Sequence, residues 1–305
     1  MSSTILPTPL PLAGEGGAKR RVRALKDYLE LSKSRIVLMV LMTTAAGYVI
    51  GAPAFSALAL LHVLLGTALV AAGTNALNQY VERDLDGRML RTARRPLPAG
   101  RISSRAALIF SAAIAVIGTV YLALAVNGLT ALLGAFTLTS YIFVYTPLKR
   151  VSTACTVIGA VPGAVPPLMG WAAATGSLGT GGWIAFAILF LWQLPHFMAI
   201  SWTHREDYGR AGFVMLSVQD RDGRAVGRQA VGYSILLLMA SVAPAFAGMA
   251  GPAYLAGASA AGAALLLAAV GFYRDRSVRR ARNLFMASNV YLLVMMVLLV
   301  TLVRG

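Results

Sequence analysis

The chain alternates between long apolar runs and short, polar, mostly basic connections. A hydrocarbon core about 30 Å thick takes about 20 apolar residues in a helix. Nine runs reach that length, over 36–54, 57–78, 106–126, 129–147, 154–174, 182–202, 230–250, 252–273 and 284–303. None has an acidic residue, lysine or arginine in its interior. The pattern therefore predicts an all-α, polytopic membrane protein with nine transmembrane helices. Pro162, Pro166 and Pro167 fall in the fifth run, where the missing N–H groups predict a kinked helix whose freed carbonyls are taken up by neighbours. Gly and Ala crowd most runs, and small side chains let helix backbones approach closely.

Composition strengthens this picture. Hydrophobic residues make up 58% of the 305 positions and charged residues 12%, about half the ~25% of soluble domains. An ordinary soluble enzyme and a disordered chain are both excluded. The single cysteine, Cys155, excludes an intramolecular disulfide framework or a zinc site of several thiolates; it reads as a small packing residue. Residues 1–18 are rich in Pro, Gly and Ser, and Lys19 to Lys26 are basic. A mobile basic tail is expected over 1–25, followed by one transmembrane domain over 26–305. No apolar signal core with a cleavage site precedes the basic residues, so the first span is expected to be retained.

Charge placement gives orientation. Numbering the connections alternately, the N-terminal segment, 83–105, 149–150, 205–228 and 274–282 share one side and hold 26 of the 27 Lys and Arg; only Arg304 lies opposite. All 11 acidic residues fall on the basic side too. The N-terminus is expected inside, the C-terminus outside, and the chemistry at one membrane face. The net charge of +16 then sets topology and meets anionic headgroups; no nucleic-acid partner is expected.

The second run ends in Asn75-Ala-Leu-Asn78-Gln-Tyr-Val-Glu82-Arg-Asp84-Leu-Asp86-Gly-Arg88. Asn78, Glu82 and Asp86 are spaced i, i+4, i+8, which on a helix is one face extending about 12 Å. An amide and two carboxylates in line offer hard oxygen ligands to Mg²⁺, which is commonly held by one or two carboxylates plus substrate phosphates. A solvated helix end with Glu–Arg pairs is the plainer alternative. Arg88, Arg91, Arg94 and Arg95 follow, then Pro96-Leu-Pro-Ala-Gly100, and arginine forks suit phosphate oxygens. After the sixth run, Glu206 and Asp207 lie beside Arg205 and Arg210. His62 is mid-span, His196 follows Pro195 near the inner end of the sixth run, and His204 is at the interface. Trp171, Trp192 and Trp202 read as interfacial anchors at span ends.

The stretch from Asn78 to Gly100 resembles the first aspartate-rich motif of UbiA-type intramembrane prenyltransferases. Two further blocks resemble the protohaem IX farnesyltransferase branch of that superfamily. One is Tyr145-Thr-Pro-Leu-Lys149-Arg150 with Ile158-Gly and Gly163-Ala-Val-Pro-Pro167-Leu-Met-Gly170-Trp171; the other is Trp192-Gln-Leu-Pro-His196-Phe with Arg205-Glu-Asp207-Tyr208 and Ala211-Gly212. The likeness covers residues 30–303. Glu82 stands where the family usually has Asp, Cys155 where Asn is usual, and the second loop lacks the Asp-x-x-x-Asp of benzoate-type relatives.

The resemblance implies a UbiA-like helical bundle that transfers farnesyl from farnesyl diphosphate to a vinyl group of protohaem IX (haem B). The product is haem O, on the route to haem A for terminal oxidases. It implies Mg²⁺ on Asn78, Glu82, Asp86 and Asp207, with Tyr208 beside them in the catalytic set. Lys33, Arg94, Arg95, Lys149, Arg150 and Arg205 become candidates for diphosphate or propionates, and His196 for contact with haem, a substrate here. Tyr80, Tyr145 or Tyr208 would face the allylic cation. The implied setting is a bacterial inner membrane with the site loops cytoplasmic, and haem A synthase or oxidase assembly proteins are candidate partners. Two alternatives stand beside this: a UbiA-type enzyme prenylating an aromatic or quinone-precursor acceptor, and a membrane transporter.

Overall fold

A computed structural model describes residues 17–303. Its helices are α1 (Gly17–Leu31), α2 (Ser34–Gly51), α3 (Ala57–Asp86), α4 (Ser104–Ala125), α5 (Gly128–Leu148), α6 (Cys155–Thr175), α7 (Thr180–Thr203), α8 (Arg205–Arg210), α9 (Leu216–Gln219), α10 (Arg224–Phe246), α11 (Pro252–Arg274) and α12 (Val278–Leu302). Among the described residues nine helices are long and apolar enough to cross a membrane: α2 to α7 and α10 to α12. There is no strand among them, only an isolated bridge between Ala250 and Val303.

Local chemistry sets where helices start. Ser56, Ser103, Asn127 and Ser277 each accept a backbone N–H three residues on, satisfying a donor the first turn leaves free. The bundle then closes around α6 and α7, the most buried spans. One apolar cluster joins α7, α10, α11 and α12; another joins α2 to α6. Close approach of α2 and α6 depends on two glycines. A Cβ on Gly47 would stand 1.9 Å from the Pro167 carbonyl oxygen, and one on Gly170 1.9 Å from that of Thr44. Small residues here let backbone dispersion contacts replace side-chain packing.

Three local features depart from the sequence reading. Helix α6 is continuous through Pro162, Pro166 and Pro167, and the first departure is a π-helical segment of α5, Ser140–Tyr145. Trp171, Trp192 and Trp202 are buried rather than anchored in the interface. The indoles of Trp192 and Trp202 donate to the carbonyls of Ser288 (2.6 Å) and Arg276 (2.7 Å), and Trp171 fills space left by Gly51, Gly179, Gly181 and Gly182. The third concerns the N-terminus: α1 is helical from Gly17, inside the range expected as tail. Residues 1–16 and Arg304 lie outside the described residues. Cys155 is buried, as a packing residue should be, and His62 bonds Tyr121 Oη at 2.7 Å between α3 and α4.

The polar connections meet at one end of the bundle. Arg101, after α3, pairs with Asp27 and with Glu30 Oε2 (2.6 Å) on α1. Gln79 of α3 donates to the Leu31 carbonyl at 2.6 Å. Helix α1 is thereby tied to the end of α3 that carries the acidic line. The chain turns from α1 into α2 at Lys33, whose φ of 52° is the only positive value on a non-glycine residue among those described.

Candidate active site

Helix α3 continues past its apolar stretch to Asp86, so Asn78, Glu82 and Asp86 do lie on one helix, and all three are buried. Each meets a different cation. Lys33 Nζ donates to Asn78 Oδ1 at 3.0 Å, Lys149 Nζ to Glu82 Oε1 at 2.7 Å, and Arg95 to Asp86 Oδ2 at 2.7 Å. These cations come from the α1–α2 turn, the end of α5 and the loop after α3. The Asp86 carbonyl also accepts from Thr92 Oγ1 at 2.8 Å, which folds that loop back over the helix end.

The amide of Asn78 has a fixed orientation. Its Nδ2 donates to Thr146 Oγ1 at 3.2 Å, and that hydroxyl donates to the Tyr141 carbonyl at 2.8 Å, in the π-helical turn. The same carbonyl also accepts the Thr146 backbone N–H in the wide turn, and π-helical turns are frequent at functional sites. The relay leaves Asn78 Oδ1 facing Lys33 and the acidic line.

The second acidic loop docks on the first. Asp207 Oδ1 accepts from the backbone N–H of Leu90 at 3.2 Å and from Arg210. Arg91 lies 5.9 Å from the Tyr208 ring centroid, and Tyr208 meets Phe213 edge-on at 5.9 Å. The Val214 N–H donates to the Lys149 carbonyl at 2.7 Å. Beneath, Met89, Cys155, Ala211, Phe213 and Met215 form one apolar cluster. Lys149 Nζ stands 4.4 Å from the Tyr145 centroid and 5.7 Å from that of Phe213.

Charge balance follows this packing. Burial, with Arg95 and Lys149 nearby, pulls the Lys33 ammonium down to about 7. Burial also acts against Lys149, but Tyr145 and Glu82 more than offset it and hold its ammonium above the usual lysine value. Burial likewise opposes the Asp207 carboxylate, yet the bonds from Arg210 and Leu90 keep it below the ordinary range. Among the described residues no three His, Cys, Asp or Glu side chains converge. An ion held on Glu82 and Asp86 therefore needs the Asn78 amide or substrate oxygens to complete its shell.

Residues 40–295 match the model described as the UbiA prenyltransferase family. The chain belongs to the UbiA prenyltransferase family. It is 48% identical over 278 residues to a protoheme IX farnesyltransferase of Solibacter usitatus, covering 88% of this chain and 95% of that one. To a protoheme IX farnesyltransferase of Koribacter versatilis it is 40% identical over 304 residues, covering 96% of each. In fold it is similar to a UbiA homolog from Archaeoglobus fulgidus solved with GPP and Mg²⁺ (TM-score 0.67, 16% identity, 90% of this chain and 99% of that one). A UbiA homolog from Aeropyrum pernix gives TM-score 0.69 at 17% identity, over 86% and 95%.

This UbiA-family prenyltransferase gathers only some of the side chains singled out in its sequence. Lys33, Asn78, Glu82, Asp86, Arg95 and Lys149 form one connected set, with Asp207 and Tyr208 docked beside it. Arg94 and Arg150 are exposed, and neither is in an ion pair among the described residues. Arg205 folds back on Trp202, donating to its carbonyl at 3.1 Å with the guanidinium 4.4 Å from the indole. His196 bonds Ser288 of α12 rather than a residue of the acidic line. Thr146, Tyr141 and Arg210 join the site without having been singled out for it. Thr146 was within a quoted motif, but nothing in the sequence pairs it with Asn78.

Proposed function

We propose that this multi-pass UbiA-family enzyme transfers the farnesyl group of farnesyl diphosphate to a vinyl group of protohaem IX, yielding haem O. The geometry supporting the diphosphate half is the line of three oxygen-bearing side chains, each already facing its own cation. The acceptor half rests on the relatives of 40–48% identity, which carry that activity in their names.

A diphosphate and a divalent cation could enter this line by exchange of partners. The hard donors Asn78 Oδ1, Glu82 and Asp86 fit Mg²⁺, with Asp207 as the candidate from the second loop. Bound there, the ion would stabilise negative charge on diphosphate oxygens. Lys33, Arg95 and Lys149, relieved of the carboxylates, would turn to those oxygens. Their charge matters most as the farnesyl C1–O bond breaks and the diphosphate leaves with the electron pair. The rings of Tyr145 and Tyr208 face the same region and would favour the allylic cation by roughly 0.5–2 kcal/mol. The vinyl π pair then bonds to C1, and water adds to the resulting haem-side cation and releases a proton.

On this reading residues 26–305 act as one transmembrane prenyltransferase domain in a bacterial inner membrane, with the charged end cytoplasmic. Haem A synthase or an oxidase assembly protein would be suited to receive so insoluble a product. The test is direct. Purified protein with farnesyl diphosphate, Mg²⁺ and protohaem should release diphosphate and form a haem heavier by one farnesyl group and one hydroxyl group, read by mass. Preferred prenylation of a phenolic acid would instead assign the aromatic acceptor.

A further inference from the structure

Lys33 and Arg95, two of the cations on the acidic line, come from separate connections, and one further guanidinium bonds to both of these segments. Arg101, near the end of the loop after α3, reaches in two directions. Toward α1 it pairs with Asp27, which is buried, and its Nη2 donates to Glu30 Oε2 at 2.6 Å. Toward its own loop, Nη2 also donates to the Arg94 carbonyl at 3.0 Å. Arg94 immediately precedes Arg95, whose Nη1 reaches Asp86 Oδ2 at 2.7 Å. A tight turn fixes the backbone from which Arg101 projects. Its N–H donates to the Pro96 carbonyl at 2.8 Å, and Gly100 before it takes a φ of 69°, a region glycine enters freely.

The α1 side of this arrangement ends at Lys33. The Glu30 carbonyl accepts from the Lys33 N–H at 3.1 Å and from Gln79 Nε2 at 3.2 Å. Glu30 is thus held by Arg101 through its side chain, and holds the Lys33 backbone through its carbonyl. With a φ of 52°, Lys33 lies where non-glycine residues persist only when their surroundings over-determine them. Its Nζ then meets Asn78 Oδ1 at 3.0 Å. Leu31, Ala76, Leu97, Ile102 and Ala107 form an apolar cluster joining the same segments. Such packing holds the segments together but has no direction. The fork of Arg101 supplies the direction and so sets their register.

We propose that Arg101 is a positioning residue for prenyl transfer, holding Lys33 and Arg95 on the acidic line from outside it. The inference rests on the diphosphate half of the reading above and deepens it. Stability alone does not account for the arrangement, since Glu30 is exposed and ion pairs at such sites contribute little. What Arg101 adds is geometry. A planar guanidinium satisfies two carboxylates and a carbonyl at fixed angles, which a rotating ammonium does not. Nη1 and Nη2 are engaged in those three bonds, so Arg101 is not itself a diphosphate ligand. Lys33 and Arg95 must exchange their present oxygens for those of the diphosphate, and that swing is short only if their backbones are already placed. A displacement of about 1 Å, even from a change remote from the reacting atoms, can cost about a hundredfold in rate.

The experiment is steady-state kinetics of the full-length protein in nanodiscs with Mg²⁺, varying farnesyl diphosphate and protohaem in turn. Arg101→Met should raise the KM for farnesyl diphosphate about tenfold and leave that for protohaem in place. Arg101→Lys should recover only part of the loss. The double variant Asp27→Asn/Glu30→Gln breaks the same bonds from α1, at side chains outside the acidic line, and should give the same rise. Adding Arg101→Met to it should then change the KM by less than about twofold, because the three residues act as one unit. A rise in Arg101→Met with none in Asp27→Asn/Glu30→Gln would make the guanidinium a direct diphosphate ligand and overturn the proposal. So would a lower unfolding temperature and lower kcat with both KM values unchanged, the mark of a purely structural residue. If Arg101→Met does not fold, Asp27→Asn/Glu30→Gln decides by the same KM, since it keeps the shape of each side chain. A wild type that releases no diphosphate with any acceptor would strike the diphosphate reading itself, and this role with it.

Discussion

Glu82 Oε1 accepts a 2.7 Å hydrogen bond from Lys149 Nζ, although 67 residues separate the two. Both groups are largely buried. The pair joins the charged end of the second span to that of the fourth, and holds a carboxylate ready beside its eventual competitor for anions.

Breaking this pair from one side should cost more than removing it. Lys149→Met strands a buried carboxylate, with an expected loss of about 3–5 kcal/mol. Adding Glu82→Gln should restore most of the stability and none of the diphosphate affinity. Thermal unfolding in detergent, alongside a diphosphate-binding measurement, separates the two effects. Equal instability in the single and double variants would show that the pair is not what holds these helix ends.

Asp86→Asn keeps an oxygen for Arg95 but removes the charge. Turnover should fall about a hundredfold or more, with normal membrane insertion and yield. Glu82→Asp should stay active, because the flexible Lys149 side chain can follow a carboxylate drawn back by one methylene. A near-normal rate for Asp86→Asn at limiting Mg²⁺ would assign this helix end to structure alone.

Thr146 acts on Asn78 through a single hydroxyl. Thr146→Val should free the amide to rotate and raise the Mg²⁺ concentration needed for half-maximal activity about tenfold. Thr146→Ser should restore it. A Mg²⁺ titration of the three proteins decides, since a purely structural threonine would change stability and leave the midpoint in place.

Gly159 lies against Tyr145, where a Cβ would come within 2.4 Å of the ring. Gly159→Ala should push the ring away from Lys149 and depress activity. Gly232 of α10 has nothing within 4 Å of a Cβ, so Gly232→Ala should stabilise the helix by about 0.5–1 kcal/mol without altering turnover. Rates and unfolding temperatures of both variants provide the comparison.

The basic connections should face the cytoplasm. A reporter active only in the cytoplasm should be silent at the C-terminus and active in the 205–228 connection. The reverse pattern would invert the orientation and place the site on the other face.

The nine helices of membrane-spanning length among the described residues were legible in the sequence because lipid imposes a one-dimensional rule. Each span must be about 20 residues long, apolar, and closed on its own hydrogen bonds. The acidic line was legible for a similar reason, since Asn78, Glu82 and Asp86 share a face by helical period alone. Composition could not distinguish which tryptophans lie in lipid and which in protein. Trp171 and Trp202 sit near span ends and Trp192 midway along α7, but neighbouring glycines and carbonyls from other helices draw all three inside.

What the sequence determined by itself is whatever a single helix can encode: span lengths, the side on which charge gathers, and the order of oxygen donors along α3. Which cation meets which oxygen was decided only in three dimensions. Lys33, Arg95 and Lys149 belong to different connections, and nothing in their spacing separates them from Arg94 or Arg150, which stay exposed. Their selection follows from the π turn in α5, the left-handed turn at Lys33 and the fold of the loop over Asp86. The imidazole of His196 shows the same dependence. Its ring is held by a serine 92 residues away, through contacts that form only when α7 and α12 pack together.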